Sequence, residues 1–258
     1  MGYDRLSLVD RVAVVVGGTT GIGRALSLGL AQAGADVVSS SRRKAEVEAV
    51  AGQIEALGRR TLRVPCDVLD RASLEGLRDQ VLSAFGKIDI LVNCAGRTKR
   101  APFLEVTEQD WSGVLETNLT GTFRSCQVFG PPMLERGYGR IINIASLSSF
   151  KALHETAAYS ASKAGVVSLT QTLAVEWGAR GVCSNAIAPG VFRTSLNAAL
   201  LDGTERGREF LLRTPMRRFG KVEELVGAAI FLASESASFV NGEVLTVDGG
   251  FLASAVNQ

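Results

Sequence analysis

Histidine is nearly missing from this chain: His154 is the only one in 258 residues. The four cysteines, Cys66, Cys94, Cys126 and Cys183, stand far apart, and no Cys-x-x-Cys pair occurs. A zinc site needs clustered His and Cys ligands, so no metal site is expected. Isolated cysteines also argue against a disulfide framework and point to reduced thiols in a cytoplasmic protein. No apolar run approaches the roughly 18 residues of a membrane span. Met1-Gly2-Tyr3-Asp4-Arg5 lacks a basic region followed by an apolar block, so no secretory signal is expected. The residues after Met1-Gly2 support myristoylation poorly. Charge of one sign is absent too: 28 Lys and Arg against 26 Asp and Glu leave a net charge of +2. Basic and acidic residues are interspersed, which argues against a nucleic-acid or membrane partner. With only 6 prolines and no linker-like stretch, residues 1–258 read as one domain.

What is present is glycine, 28 residues of it, and short Val/Ile/Leu runs that alternate with helix-period segments. Strands are expected at 12–16, 36–40, 61–64, 88–93, 140–144, 182–187 and 243–247. Helices are expected at 22–32, 44–57, 73–85, 110–135 and 159–179. Unbroken apolar runs suggest strands covered on both faces. The alternation therefore predicts an α/β fold: a doubly wound parallel sheet of about seven strands with helices on both sides, of the Rossmann type. Residues 191–221 break the rhythm and read as a substrate lid.

Tyr159 and Lys163 are four residues apart, which places them on one face if the segment is helical. Ser146 lies thirteen residues upstream of Tyr159. A phenol titrates near 10, and an adjacent ammonium favours its ionised form. The pair reads as a general acid/base with its tuning charge, and the substrate as a small molecule whose oxygen exchanges a proton.

The first strand runs into Gly17-Gly18-Thr19-Thr20-Gly21-Ile22-Gly23 and then a helix. A glycine turn at such a junction cradles a pyrophosphate on backbone amides and the helix N-terminus. The second strand ends in Ser39-Ser40-Ser41-Arg42-Arg43, where a carboxylate would mark NAD. A hydroxyl and guanidinium groups instead suit a 2′-phosphate. NADP(H) is therefore the expected cofactor, with NAD(H) a possibility.

Together these motifs resemble the short-chain dehydrogenase/reductase family, over nearly the whole chain and in the right order. The glycine turn matches at Gly17, Gly21 and Gly23. Asn93-Cys94-Ala95-Gly96 is similar to the family's Asn-Asn-Ala-Gly motif, with Cys94 in place of the second asparagine. Val16 replaces the usual threonine before the first glycine. The resemblance implies a catalytic set of Asn118, Ser146, Tyr159 and Lys163, with Asn118 holding a water that relays protons to Lys163. It implies a cofactor site of Gly17, Thr19, Thr20, Gly21, Ile22, Gly23, Ser41, Arg42, Arg43, Asp67, Val68, Asn93, Ala95, Gly96, Tyr159, Lys163, Pro189, Gly190, Val191 and Thr194. Substrate contacts are expected from Ser146, Leu147, His154 and Tyr159, in a pocket that also takes in Lys151, Glu155, Phe192 and Arg193. The reaction implied is reversible hydride transfer between nicotinamide and a carbonyl or secondary alcohol, and the assembly implied is a homotetramer.

Within the family, the cofactor segment and the ending Asp248-Gly249-Gly250-Phe251 resemble gluconate 5-dehydrogenases, which act on a sugar acid or polyol. The alternative is a 3-oxoacyl-carrier-protein reductase. Its carrier-facing arginines fall here on Pro131 and Val175, so an acidic carrier would be steered poorly. An alternative of another class is a non-catalytic NADP-binding regulator, which the intact Ser146, Tyr159 and Lys163 argue against.

Overall fold

The computed structural model describes residues 4–194 and 197–255. Six strands form one parallel sheet: β1 (Val12–Val16), β2 (Asp36–Ser40), β3 (Ile90–Asn93), β4 (Gly139–Ile144), β5 (Val182–Pro189) and β6 (Val244–Val247). Their spatial order is β2-β1-β3-β4-β5-β6. The helices are α1 (Gly21–Gln32), α2 (Lys44–Ala56), α3 (Arg71–Phe85), α4 (Glu108–Leu115), α5 (Gly121–Arg136), α6 (Ala157–Trp177), α7 (Ala198–Leu201), α8 (Glu205–Arg213) and α9 (Val226–Ala233).

The unbroken run Val12-Ala13-Val14-Val15-Val16 is explained by the pleat. Ala13 and Val15 join a core with Leu26 and Leu30 of α1 and Leu232 of α9. Val12, Val14 and Val16 join the opposite core with Leu77 and Val81 of α3 and Phe129 of α5. Successive side chains of a strand point to opposite faces, so a strand covered on both sides needs apolar residues at every position. Each buried valine contributes on the order of 1.5–3 kcal/mol.

Two expectations are corrected. Among the described residues the sheet has six strands, because residues 61–64 do not form a ladder. This segment runs beside the edge strand β2 with bonds only at its ends: Val37 N–H donates to the Arg60 carbonyl, and Cys66 N–H to the Ser41 carbonyl. Between them the Ser40 hydroxyl takes the Val64 carbonyl at 2.5 Å, where a strand neighbour would offer a backbone N–H. The long helix expected over 110–135 is also interrupted. A π-helical turn, Glu116–Thr120, separates α4 from α5. Such turns recur at functional sites, and this one carries Asn118.

In the order β2-β1-β3 the chain leaves β1 toward one side for β2 and returns to the other side for β3. The crevice at the carboxyl ends of β1 and β3 is therefore the switch point where open α/β sheets bind ligands. Among the described residues no helix is long and apolar enough to cross a membrane.

Candidate active site

The glycine turn follows β1 and opens α1. Most of its helix-capping capacity is left unused. Thr20 occupies the N-cap in extended geometry, its side chain makes no cap bond, and the first turn holds no acidic residue. By contrast, Asp70 caps α3 through Ala72 N–H, and Thr204 caps α8 through Gly207 N–H. The uncapped amides of α1 suit an anion. The turn itself requires glycine. A Cβ on Gly17, whose φ is +81°, would meet Ala95 N at 2.4 Å, and one on Gly23 would meet the Gly17 carbonyl oxygen at 2.0 Å. Gly21 has φ +50°, and a Cβ built there would lie 3.7 Å from Thr194 Cγ2. The turn after β1 and the segment after β5 thus face each other, and the residues present fit a dinucleotide phosphate.

Beside this turn the Thr19 hydroxyl donates to Ser41 Oγ at 2.8 Å and to Glu46 Oε2 at 3.1 Å. Arg43 pairs with Glu46 at 2.5 Å. Arg42 is exposed. Of the two arginines, Arg43 is paired with a carboxylate and Arg42 shows no ion pair among the described residues. Asp67 Oδ1 accepts from Leu69 N–H and fixes the turn after residue 66. Val68 packs against Gly121, and its carbonyl accepts from Arg124. Ile22 packs on the core beneath α1. Gly190 N–H donates to the Val247 carbonyl, and a Cβ on Gly190 would meet Asp248 Cα at 2.6 Å. This close approach locks Pro189-Gly190-Val191 against the end of β6.

The second half of the site converges on the ends of β3 and β4 and the start of α6. Lys163 is 5% exposed, and its ammonium donates to the Ile144 carbonyl at 2.6 Å. Its Nζ lies 5.9 Å from the Tyr159 ring centroid. Gly96 sits beside it: a Cβ there would lie 3.4 Å from Asn118 Oδ1 and 3.8 Å from Lys163 Nζ. Ser146 Oγ accepts from Ser148 N–H at 3.2 Å and from the Ser148 hydroxyl at 3.1 Å. With both acceptor positions used, its own proton is left to donate.

Asn118 acts as a clamp. Its Oδ1 accepts from Arg97 N–H at 2.8 Å, and its Nδ2 donates to the Arg97 carbonyl at 2.9 Å and to Ser162 Oγ at 3.0 Å. Ser162 in turn donates to the Tyr159 carbonyl. The loop after Gly96 and the first turn of α6 are thereby tied together through one amide. Behind them Asn93 Nδ2 donates to Asn143 Oδ1, and Asn143 Nδ2 to Thr170. Sequence reasoning missed Asn143, Ser148 and Ser162. The available signal was the polar Asn143 inside the apolar run Ile141-Ile142-Asn143-Ile144, a residue that must find buried partners.

The charge balance differs from the expectation drawn from spacing. Burial pushes the Tyr159 phenol above its usual value, while Ser146 pulls it down and Cys94 pushes it up. Burial pulls Lys163 down to about 8. Desolvation, rather than the tyrosine–lysine pairing, governs both groups. It also drives the Cys94 thiol up to about 11, against the pull of Lys163.

The expected substrate contacts are unequal. Leu147 is 2% exposed and belongs to the interior. The His154 imidazole is 82% exposed and lies 3.6 Å from Glu155, while its carbonyl accepts from Arg206. Phe192 is buried and bridges to Gly220. Arg193 is bound by Asp202 at 2.6 Å. Arg100 joins Glu155 at 2.5 Å.

A switch-point crevice with a glycine-lined helix N-terminus, beside a serine, a tyrosine and a lysine, defines a Rossmann-type oxidoreductase acting on a CH–OH group. The chain belongs to the short-chain dehydrogenase/reductase family. The family model described as enoyl-(acyl carrier protein) reductase matches residues 16–252. The chain is 42% identical to a D-threitol dehydrogenase of Mycolicibacterium smegmatis, over 95% of this chain and 94% of that one. It is 40% identical to a gluconate 5-dehydrogenase of Gluconobacter oxydans, over 97% and 98%. The crystal structure of a gluconate 5-dehydrogenase from Burkholderia cenocepacia in complex with NADP and tartrate is 39% identical. Its TM-score is 0.94, over 98% of this chain and 99% of that one.

Proposed function

We propose that this protein transfers a hydride between NADP(H) and a secondary alcohol or carbonyl of a sugar acid or polyol, as a gluconate 5-dehydrogenase does. The observation that carries this reading is the juxtaposition of the Ser146 and Tyr159 hydroxyls and the buried Lys163 ammonium with the uncapped glycine turn of α1. The similar proteins named for D-threitol and gluconate support the substrate class. The bound cofactor supplies the hydride at its nicotinamide ring. The chain's own residues handle the oxygen. In reduction, Tyr159 donates its proton to the developing alkoxide, and its raised pKa keeps that proton available. Ser146 donates a second hydrogen bond to the same oxygen. Lys163 holds positive charge beside the phenol. Asn118 fixes the loop and helix that carry these groups, so it is a positioning residue.

NADP(H) is favoured because Ser41 and the exposed Arg42 follow β2, where a hydroxyl and a guanidinium would bind a 2′-phosphate. Glu46, which the Thr19 hydroxyl also reaches, is paired with Arg43. NAD(H) is expected to bind more weakly. With the cofactor bound, Gly17, Gly21 and Gly23 would cradle the pyrophosphate, Asp67 and Val68 would lie at the adenine, Asn93, Ala95 and Gly96 would line the site beside Lys163, and Pro189, Gly190, Val191 and Thr194 would hold the carboxamide. Residues 191–221 form the lid over the substrate; Ser195 and Leu196 within it lie outside the described residues. A carrier-protein reductase is disfavoured because Val175 is 84% exposed and apolar at a place where an arginine would meet the acidic carrier. Exposed Trp111 on α4, Phe123 on α5 and Phe239 in the apolar stretch before β6 support a homotetramer built from the long helices and the last strand region; a monomer in sedimentation would contradict it. Four free thiols suit a cytoplasmic setting.

The test is Tyr159→Phe. It is expected to lower kcat by about 10²–10⁴-fold while NADP(H) titration gives an unchanged Kd. Near-wild-type turnover would sink the assignment. Tight NADP(H) binding by the wild type without turnover on any carbonyl or alcohol would indicate the non-catalytic regulator.

A further inference from the structure

Between the loop that leads into Tyr159 and helix α8 lies a cavity of about 790 Å³, within the size range of small-molecule sites. Its lining is unevenly charged. Among the described lining residues, Lys151, Arg206 and Arg213 stand against one carboxylate, Glu209. That carboxylate is already engaged, because Arg213 binds it at 2.9 Å from the next turn of α8. The other acid near the cavity, Glu155, is held by Arg100 at 2.5 Å.

Arg206 differs from its neighbours. Its guanidinium donates to the His154 carbonyl through Nη1 at 3.5 Å and Nη2 at 3.4 Å. It also lies 5.4 Å from the Phe210 ring centroid. These contacts hold the side chain in place but do not neutralise it. Glu155 and Glu209 lie close enough to act on it, yet Arg100 and Arg213 occupy them, and the Arg100 charge opposes it. Two long bonds to a neutral carbonyl are weak competitors for a planar fork that matches a carboxylate bidentately. His154 is five residues before Tyr159, so the cavity adjoins the segment that presents the proton donor.

The function proposed above leaves two substrate kinds, a neutral polyol and a sugar acid, and the next step rests on that reading. We propose that Arg206 binds the substrate's carboxylate and thereby selects sugar acids over neutral polyols. Phe210, 5.4 Å beneath the guanidinium and 6.2 Å from Phe251, lines the same cavity and supports the side chain. Arg206 is thus a specificity-determining residue and does not take part in proton transfer.

The experiment compares KM and kcat for an aldonate and its neutral aldonamide with NADP+ in wild type, Arg206→Met and Arg206→Lys. In Arg206→Met the aldonate KM is expected to rise about 10–100-fold. Its kcat should change less than about threefold, and the preference for acid over amide should collapse. Arg206→Lys restores part of the preference, because it returns the charge without the fork. An equal KM rise for acid and amide would assign Arg206 a merely structural role and overturn the proposal. So would an aldonate KM that does not move while turnover still depends on Tyr159; the dehydrogenase reading would then survive. A wild type that oxidises only neutral polyols would overturn both the carboxylate role and the sugar-acid half of that reading. Should Arg206→Met fail to fold by circular dichroism, Arg206→Lys and Arg206→Gln give the same comparison.

Discussion

Lys163 is held with its ammonium against the Ile144 carbonyl, away from bulk water. Folding lowers its pKa from 10.5 to about 8. Below pH 8 the folded and unfolded chains both carry the proton, and burying it costs about 3 kcal/mol. Between 8 and 10.5 the unfolded chain binds a proton that the folded chain has shed, so this lysine's penalty is relieved as pH rises. Lys163→Met lacks the penalty at every pH. The stability of wild type relative to Lys163→Met is therefore expected to improve by about 2–3 kcal/mol between pH 7 and pH 10, read from paired denaturant melts. A difference that stays flat across that range would mean the lysine is not desolvated as described. At this scale the sequence was partly legible. The four-residue spacing of Tyr159 and Lys163 did place them on one helix, α6. How far burial outweighs their mutual influence was not readable, because desolvation depends on β4 and the loop after β3, which are remote in sequence. Arg206 was hidden for the same reason: nothing local distinguishes it from the other arginines of residues 206–218.

At the scale of elements, the glycine turn and the π-helical turn do the positioning. The turn was legible because its glycines follow a strand and open a helix. Its tolerance is narrow, since a Cβ on Gly23 would sit 2.0 Å from the Gly17 carbonyl oxygen. Gly76, in the middle of α3, has nothing within 4 Å of a Cβ. Gly23→Ala is expected to weaken NADP(H) binding at least about tenfold and to lower stability by about 1–3 kcal/mol. Gly76→Ala is expected to raise stability by about 0.5–1 kcal/mol through the better helix propensity of alanine. Calorimetry and cofactor titration on the two variants check both signs; a Gly23→Ala protein with wild-type binding would remove the turn from the cofactor site. The π turn was not legible. The apolar spacing of residues 110–135 reads as one helix, and the irregularity is settled by Asn118 satisfying both Arg97 and Ser162. The absence of a strand at 61–64 was equally hidden: the segment meets β2 through the Ser40 hydroxyl and two backbone bonds at its ends.

For the whole molecule, strand–helix alternation was enough to give the doubly wound sheet, because unbroken apolar strands have few other places to go. The strand order places every proposed catalytic group at the carboxyl end of the sheet, where β1, β3 and β4 finish and α1 and α6 begin. Charge is distributed on the same plan. The molecule as a whole is nearly neutral at +2, yet the cavity beside α8 is cationic, which suits an anionic small molecule and offers no long basic surface to a polyanion. The most direct measurement is NADP+ reduction by purified protein supplied with an aldonate, run beside NAD+, a neutral polyol and a short 3-oxoacyl thioester. The account predicts turnover with the aldonate, higher kcat/KM with NADP+ than with NAD+, and loss of that turnover in Tyr159→Phe. Activity confined to the thioester, or aldonate oxidation that survives Tyr159→Phe, would contradict it.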